Sequence, residues 1–216
     1  MKLEPTLRPL AGPERRRLEE RADELRGSAR AGGRRVVLIA AGGAAVLWLL
    51  TLLASDASWV VVTVFWAAAG SLLALWVRHD QRSAGRALEA MAAQVESAVR
   101  RGEAEAYDIT ARRYLAFEEV EDEGACWAFE LGGGRVVFLT GQEMYAEPGF
   151  PSLDFSLVHP LDESGRAADL WIDARGEPVP PARVVPADVK MRLADALPGH
   201  LEVVRADLDR LEESLG

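Results

Sequence analysis

Two runs of 19 uncharged residues, Val36–Ala54 (VVLIAAGGAAVLWLLTLLA) and Trp59–Val77 (WVVVTVFWAAAGSLLALWV), stand on either side of Ser55-Asp-Ala-Ser58. At about 1.5 Å rise per residue, a helix of that length spans about 28 Å, close to the ~30 Å hydrocarbon core of a bilayer. A soluble chain of 216 residues is too small to surround two such helices with other protein. The spacing therefore predicts a two-helix transmembrane hairpin over residues 36–77, with Asp56 in the turn at 55–58.

The first run begins only after 35 highly charged residues and is longer than the apolar part of a secretory signal, so it is expected to be retained. Residues 1–35 hold ten Lys/Arg, the turn holds none, and Arg78, Arg82 and Arg86 follow the second run. By the positive-inside rule both termini face the cytoplasm and the turn faces out, which points to the cytoplasmic (inner) membrane. Trp59 and Trp76 suit the two interfaces, whereas Trp48 and Trp66 lie deeper and read as packing residues. Pairing residues equidistant from the turn sets Gly43 against Gly70, Ala44 against Ala69 and Ala45 against Ala68. Small residues so placed allow close backbone approach within the hairpin, although they could serve dimerisation instead. On that basis Gly70→Leu is expected to loosen the pair.

Outside the spans, Pro13–Arg26 begins with a proline suited to a first helical turn and carries Arg15–Glu19 and Arg16–Glu20 at i,i+4 spacing. Leu18, Ala22 and Leu25 form a thin apolar stripe. A juxtamembrane amphipathic helix over 78–104 presents Leu88, Met91, Val95 and Val99 in a matching stripe. The two stripes could zip into an antiparallel stalk, or the helices could be solvated separately or lie on lipid. Gly32-Gly33 and Ser83-Ala84-Gly85 are places where either helix could break.

Charge divides the chain. Residues 1–103 carry 15 Lys/Arg against 11 Asp/Glu, and residues 104–216 carry 10 against 23, within a total of −9. An acidic second half disfavours nucleic acid, since phosphate binding rests on Lys/Arg displacing counterions. It should also be held off anionic lipid. Cys126 is the single cysteine, which excludes an internal disulfide and a cysteine-rich metal framework. Arginine outnumbers lysine 23 to 2 in an Ala/Gly/Leu/Val-rich chain, a composition typical of GC-rich bacterial coding.

Residues 105–216 read as an acidic α+β domain. Arg112–Val120, Ala125–Leu131, Arg135–Thr140, Leu153–Val158, Asp169–Asp173 and His200–Arg205 are strand candidates, rich in aromatic and β-branched residues. Gly132-Gly133-Gly134 reads as a three-residue hairpin loop. Trp127, Phe129 and Leu131 alternate with Cys126, Ala128 and Glu130 as in a half-buried strand, while Val137 and Leu139 oppose Val136 and Phe138. Pro178, Pro180, Pro181 and Pro186 forbid a continuing central strand. A short helix over Ala187–Ala196 and a closing helix over Leu208–Leu215, capped by Asp207, complete the set. The fold class expected is α+β: the two-helix transmembrane hairpin plus a small cytoplasmic β-rich roll or barrel-like domain with peripheral helices.

The stretch GRVVFLTGQEMY followed by FPSLDFSLV resembles a recurrent uncharacterised domain of bacterial membrane-anchored proteins. The resemblance covers the C-terminal half and implies no activity and no site residue.

Several residues could carry chemistry. Cys126 could act as a nucleophile with His159 or His200 as base, although neither histidine has a spacing that ties it to the thiol, and a lone cysteine commonly packs as a small hydrophobe. His79, His159 and His200 lack metal-ligand spacing. The acidic run Glu118–Glu123 lacks the order of a calcium loop and reads as a solvated turn. Gly132–Gly134 precedes a strand rather than a helix, which disfavours a phosphate cradle. Gln142, Glu143 and Tyr145 could line a pocket or a solvated loop end. No catalytic, cofactor-binding or metal-binding residue and no cofactor is therefore assigned. The expected role is a membrane-tethered cytoplasmic binding or scaffold module whose partners are the lipid bilayer and a protein, or a second copy of itself. A membrane-anchored hydrolase is the alternative. A small transport or channel subunit comes third, because neither span contains the ionisable residue that membrane pathways generally use.

Overall fold

The described residues of the computed structural model are 1–54, 58–142 and 149–215, with side chains described for all of these except 31–41 and 54. Most of the expected turn (residues 55–57), together with Glu143 and Tyr145, lies outside the described residues, as do the side chains of Val36–Ala41. The chain divides into two compact units, one of Gly12–Arg100 and one of Met1–Ala11 with Arg101–Gly216.

The helical unit is built from α1 (Gly12–Ala54) and α2 (Trp59–Arg101), 43 residues each. Both continue through Gly32-Gly33 and Ser83-Ala84-Gly85, so the expected breaks do not occur. A helical glycine costs only about 1 kcal/mol against alanine, too little to interrupt long segments of strong helix formers. Helix α2 is long and apolar enough to cross a membrane, and the described part of α1 adds a shorter apolar run, Gly42–Leu53.

Side chains link α1 and α2 in antiparallel order. The Trp48 indole N–H donates to Thr63 Oγ1 at 3.2 Å and the Trp66 indole N–H donates to Thr51 Oγ1 at 3.1 Å. Each threonine hydroxyl in turn donates to the carbonyl four residues earlier, Leu47 or Trp59, at 2.8 Å. Far along the pair, Arg26 is ion-paired with Glu96. Buried Leu18 and Ala22 on α1 and Ala92, Val95 and Ala98 on α2 make the apolar stripes. Met91, expected in that stripe, is 54% exposed, and Ala92 takes its position. The spacings 88-91-95 and 88-92-95 both lie on one side of a 3.6-residue helix, and Met91 falls at the margin.

The small residues share one region, but the close backbone approach expected of them is not what they make. Gly43, Ala44, Ala69 and Gly70 line a cavity of about 280 Å³ with Leu47, Trp66 and Leu73. A Cβ placed on Gly43 or Gly70 would meet nothing within 4 Å.

The other unit is β-rich. Its strands are β1 (Thr6–Pro9), β2 (Glu103–Thr110), β3 (Tyr114–Phe117), β4 (Ala125–Gly132), β5 (Arg135–Gly141), β6 (Asp154–Pro160), β7 (Trp171–Ala174), β8 (Arg183–Val185) and β9 (Val203–Arg205). One sheet has the order β1-β2-β6-β7 and the other β8-β3-β4-β5-β9. All pairings are antiparallel except β3 with β8. The proline-flanked β8 sits at an edge, where a strand needs only one partner.

The two sheets pack across a core in which Phe129 lies 5.1 Å from both Tyr114 and Phe155, ring centre to ring centre. On its opposite face the five-stranded sheet buries Cys126, Ala128, Val136 and Phe138 with Leu208 and Leu211. These last two belong to a 3-10 turn (Leu208–Arg210) and α4 (Leu211–Leu215), while α3 (Ala187–Arg192) precedes β9. The half-buried strand expected at 125–131 is therefore corrected: β4 is a middle layer buried on both faces. Asp207 does cap the closing turn, its carboxylate accepting from Asp209 N at 3.0 Å.

Three strands were not expected: β1, β2 and the edge strand β8. In β2 (EAEAYDIT), Glu and Ala favour helix locally, yet the segment pairs with β6 over seven residues. Gly102, at φ +70°, supplies the left-handed residue that ends α2 just before it, so the helix stops at Arg101 rather than at 104. Strand β1 is short and pairs with β2 through four residues. Upstream of it, Leu3 N donates to Leu201 O at 2.9 Å and Val203 N to Met1 O at 2.6 Å. The first nine residues thus pair with both sheets and join them along one side. Between β4 and β5, Gly133 and Gly134 form a two-residue turn at φ +64° and +66°, preceded by a register shift at Gly132. The expected three-residue loop is a two-residue turn with a bulge, the form that matches strand twist.

Candidate functional site

The arrangement with most chemical potential lies on the helix-covered face of the five-stranded sheet. Cys126 on β4 and Thr140 on β5 are register partners there. With the β3–β4 connection and the α3 segment they enclose a cavity of about 180 Å³. Its apolar wall includes Val120, Ala125, Met191 and Leu197, and among the described residues its charged groups are Lys190 and Glu123. The Lys190 ammonium, only 5% exposed as a residue, pairs with the Glu123 carboxylate at 2.9 Å, whereas the Glu123 side chain is 58% exposed.

The β3–β4 connection fixes the backbone on either side of Glu123. Glu121 and Asp122 adopt positive φ, +48° and +59°, and Gly124 follows at +90°. A Cβ on Gly124 would lie 2.5 Å from Gln142 N, so only glycine fits this approach. Glu119 Oε1 accepts from Gly124 N at 3.2 Å, Gln142 donates to the Asp122 carbonyl, and Glu118 accepts from Ala187 N at 2.9 Å. The acidic run is the exposed turn expected of it, and it also delivers one carboxylate to a buried lysine.

Burial pushes the Cys126 thiol up to about 11, with Glu123 adding to the rise and Lys190 opposing it. A thiol so placed is protonated at neutral pH and is a weak nucleophile. The charged groups that act on it are Lys190 and Glu123. His159, on β6 opposite Glu105, packs its ring edge against Tyr107 at 5.5 Å between centres. Among the described residues its buried Nε2 has no hydrogen-bond partner. Burial lowers its pKa and nearby His200 lowers it further, against the pull of Glu105. His200 Nδ1 accepts from Thr140 N at 3.2 Å, and His79 is exposed on α2.

Two polar clusters that sequence spacing did not reveal are structural ties. Arg175 donates to Asp154 Oδ1 at 2.7 Å, Asp108 Oδ1 at 3.0 Å and Ser156 Oγ, joining β2, β6 and the end of β7. Asp108 is held below its usual range by the Ser156 hydroxyl and then by Arg175. Asp162 folds a turn back on itself, accepting from Ser164 Oγ at 2.6 Å, Ser164 N at 2.9 Å and Arg166 N at 3.0 Å, which takes its pKa to about 2. In both clusters the carboxylates are already engaged by protein donors.

Among the described residues no group of three or more His, Cys, Asp or Glu side chains could hold a metal ion. Sequence reasoning singled out Cys126 but missed Lys190, which the chain marked only by composition: it is one of two lysines among 25 Lys/Arg. No protein-family profile, curated protein or solved structure matches this chain.

Proposed function

We propose that the chain is a membrane-tethered binding module, in which α1 and α2 form a two-span hairpin and the β-rich unit works at the cytoplasmic face. The observation that carries the tether is the exposure of large apolar side chains on α2: Trp59, Val61, Val64, Phe65, Leu72, Leu75 and Trp76 are each more than 60% exposed. In water such a surface would aggregate, whereas in lipid it is the surface a spanning helix requires. The indole–threonine bonds satisfy the polar groups that would otherwise face hydrocarbon. Ten Lys/Arg before the first span and the arginines after the second favour both termini inside.

The module's partner is a protein with a basic surface, since residues 104–216 carry 23 Asp/Glu against 10 Lys/Arg. Binding should weaken as salt rises. The hydrolase alternative has less support, because burial holds the Cys126 thiol in its protonated form beside the Lys190–Glu123 ion pair. Membrane attachment is tested by alkaline extraction: the chain should stay in the pellet, and release into the supernatant would contradict the tether. Cross-linking in the membranes should give salt-sensitive adducts with a second, basic protein; adducts with copies of this chain alone would replace the partner with self-association.

A further inference from the structure

We propose that the cavity beside Lys190 binds a small aliphatic monocarboxylate, whose carboxylate takes the place that the Glu123 side chain holds in this structure. The proposal names a ligand for the binding module and does not depend on whether the helices cross a membrane.

Lysine at a buried position is uncommon, and here it is nine-tenths buried in a chain that otherwise relies on arginine. An ammonium has three donors, and among the described residues one carboxylate, Glu123, pairs with it. A buried cation is costly without an anion beside it, and exchange of the Glu123 carboxylate for that of a ligand keeps the ammonium paired throughout. Glu123 is suited to displacement, since its side chain is 58% exposed and leaves for water without a desolvation penalty. A strained turn held by backbone contacts carries it, so the carboxylate can rotate away while the turn stays in place.

The cavity decides the rest of the ligand. Its volume of about 180 Å³ corresponds to roughly six waters at ~30 Å³ each, or a chain of about four to six carbons with its carboxylate. Val120, Ala125, Met191 and Leu197 offer apolar walls, so an aliphatic tail is favoured over a polar one. With one cation present, a dicarboxylate or phosphate would leave a second negative charge unpaired against those walls. An amine would face Lys190 directly. The neutral thiol of Cys126 and hydroxyl of Thr140 add no competing charge.

The test is a titration of the full chain in detergent with carboxyl-labelled butyrate, read by the ligand's carbon NMR signal, with succinate and butylammonium as comparisons. Butyrate should bind saturably and the other two should bind at least tenfold more weakly. Glu123→Gln, which removes the internal competitor, should tighten butyrate binding by about tenfold. Lys190→Met should abolish it, and Ala194→Phe, a change at an exposed rim position, should abolish it without touching the ion pair. Absence of saturable binding at millimolar butyrate would overturn the proposal. So would unchanged affinity in both Glu123→Gln and Ala194→Phe, or equal binding of butylammonium. Alkaline extraction reads only the helices, so failure of the tether and failure of this site are separate results.

Discussion

Burial acts in opposite directions on two side chains of the β-rich unit, and each gives a pH signature. His159 has its pKa lowered from an ordinary value of 6.5, first by burial and then by His200. The unfolded chain therefore binds a proton more readily than the folded one as pH falls through about 6.5, and stability declines there. The carboxylates held below their usual range, Asp108, Asp209 and Glu212, lose their contributions only as pH falls below about 4, from their unfolded values. Between pH 7.5 and 5.5 the melting temperature should fall, and His159→Gln should flatten that slope; a slope unchanged in the variant would remove His159 as its source. Cys126, pushed to about 11, should alkylate at pH 8 about a hundredfold more slowly than in the urea-unfolded chain, a ratio set by thiolate fraction. Equal rates in the two states would show an accessible, ordinary thiol. The residue that matters most beside it, Lys190, was hidden from sequence reading because its partner Glu123 lies 67 positions away, and no local spacing encodes a contact between a turn and a helix.

At the scale of elements, glycine separates two kinds of packing. Gly124 has backbone 2.5 Å from where a Cβ would sit, so Gly124→Ala should cost about 1–3 kcal/mol or more and lower the melting temperature by several degrees. Gly43→Ala and Gly70→Ala open onto a cavity of about 280 Å³ and should leave stability unchanged or raise it by up to ~1 kcal/mol. For Gly70→Leu, which the sequence marked as disruptive, the Cβ itself meets nothing within 4 Å. The bonds between α1 and α2 that count are those of Trp48 with Thr63 and Trp66 with Thr51, and a double-mutant cycle on Trp48→Phe and Thr63→Val should give a coupling of about 0.6 kcal/mol, checked by unfolding in detergent. Zero coupling would dissolve that bridge. Strands β4 and β5 were legible because aromatic and β-branched residues alternate across them, with Phe129 and Val137 on one face and Ala128 and Phe138 on the other. Strand β2 was not, because EAEAYDIT carries helix-favouring residues and becomes a strand only through pairing with β6. The cavity was illegible for a related reason: period-two alternation shows that Cys126 and Phe129 face opposite ways, but not which face receives α3.

For the molecule as a whole, the N-terminal residues are structurally bound to the far end of the chain. Removing residues 1–9 deletes β1 and the bonds of Met1 and Leu3 to Val203 and Leu201, so the β-rich unit should lose several kcal/mol and become protease-sensitive although its larger part is untouched. Limited proteolysis of the truncated full-length chain checks this, and an unchanged digestion pattern would contradict it. The same dependence means that residues 104–216 alone are not the unit to study.

The tether is the central claim, and the location of the loop between α1 and α2 tests it most directly. In a Cys126→Ala background, Ser58→Cys should react with a membrane-impermeant maleimide added to intact spheroplasts of an expression host, while a cysteine at the exposed position Arg82 should react only after the membrane is opened. Labelling of position 58 from outside and of position 82 only from inside is the result a two-span hairpin with an internal β-rich unit predicts. Equal labelling of both without opening the membrane, or recovery of the chain in the soluble fraction, would contradict it.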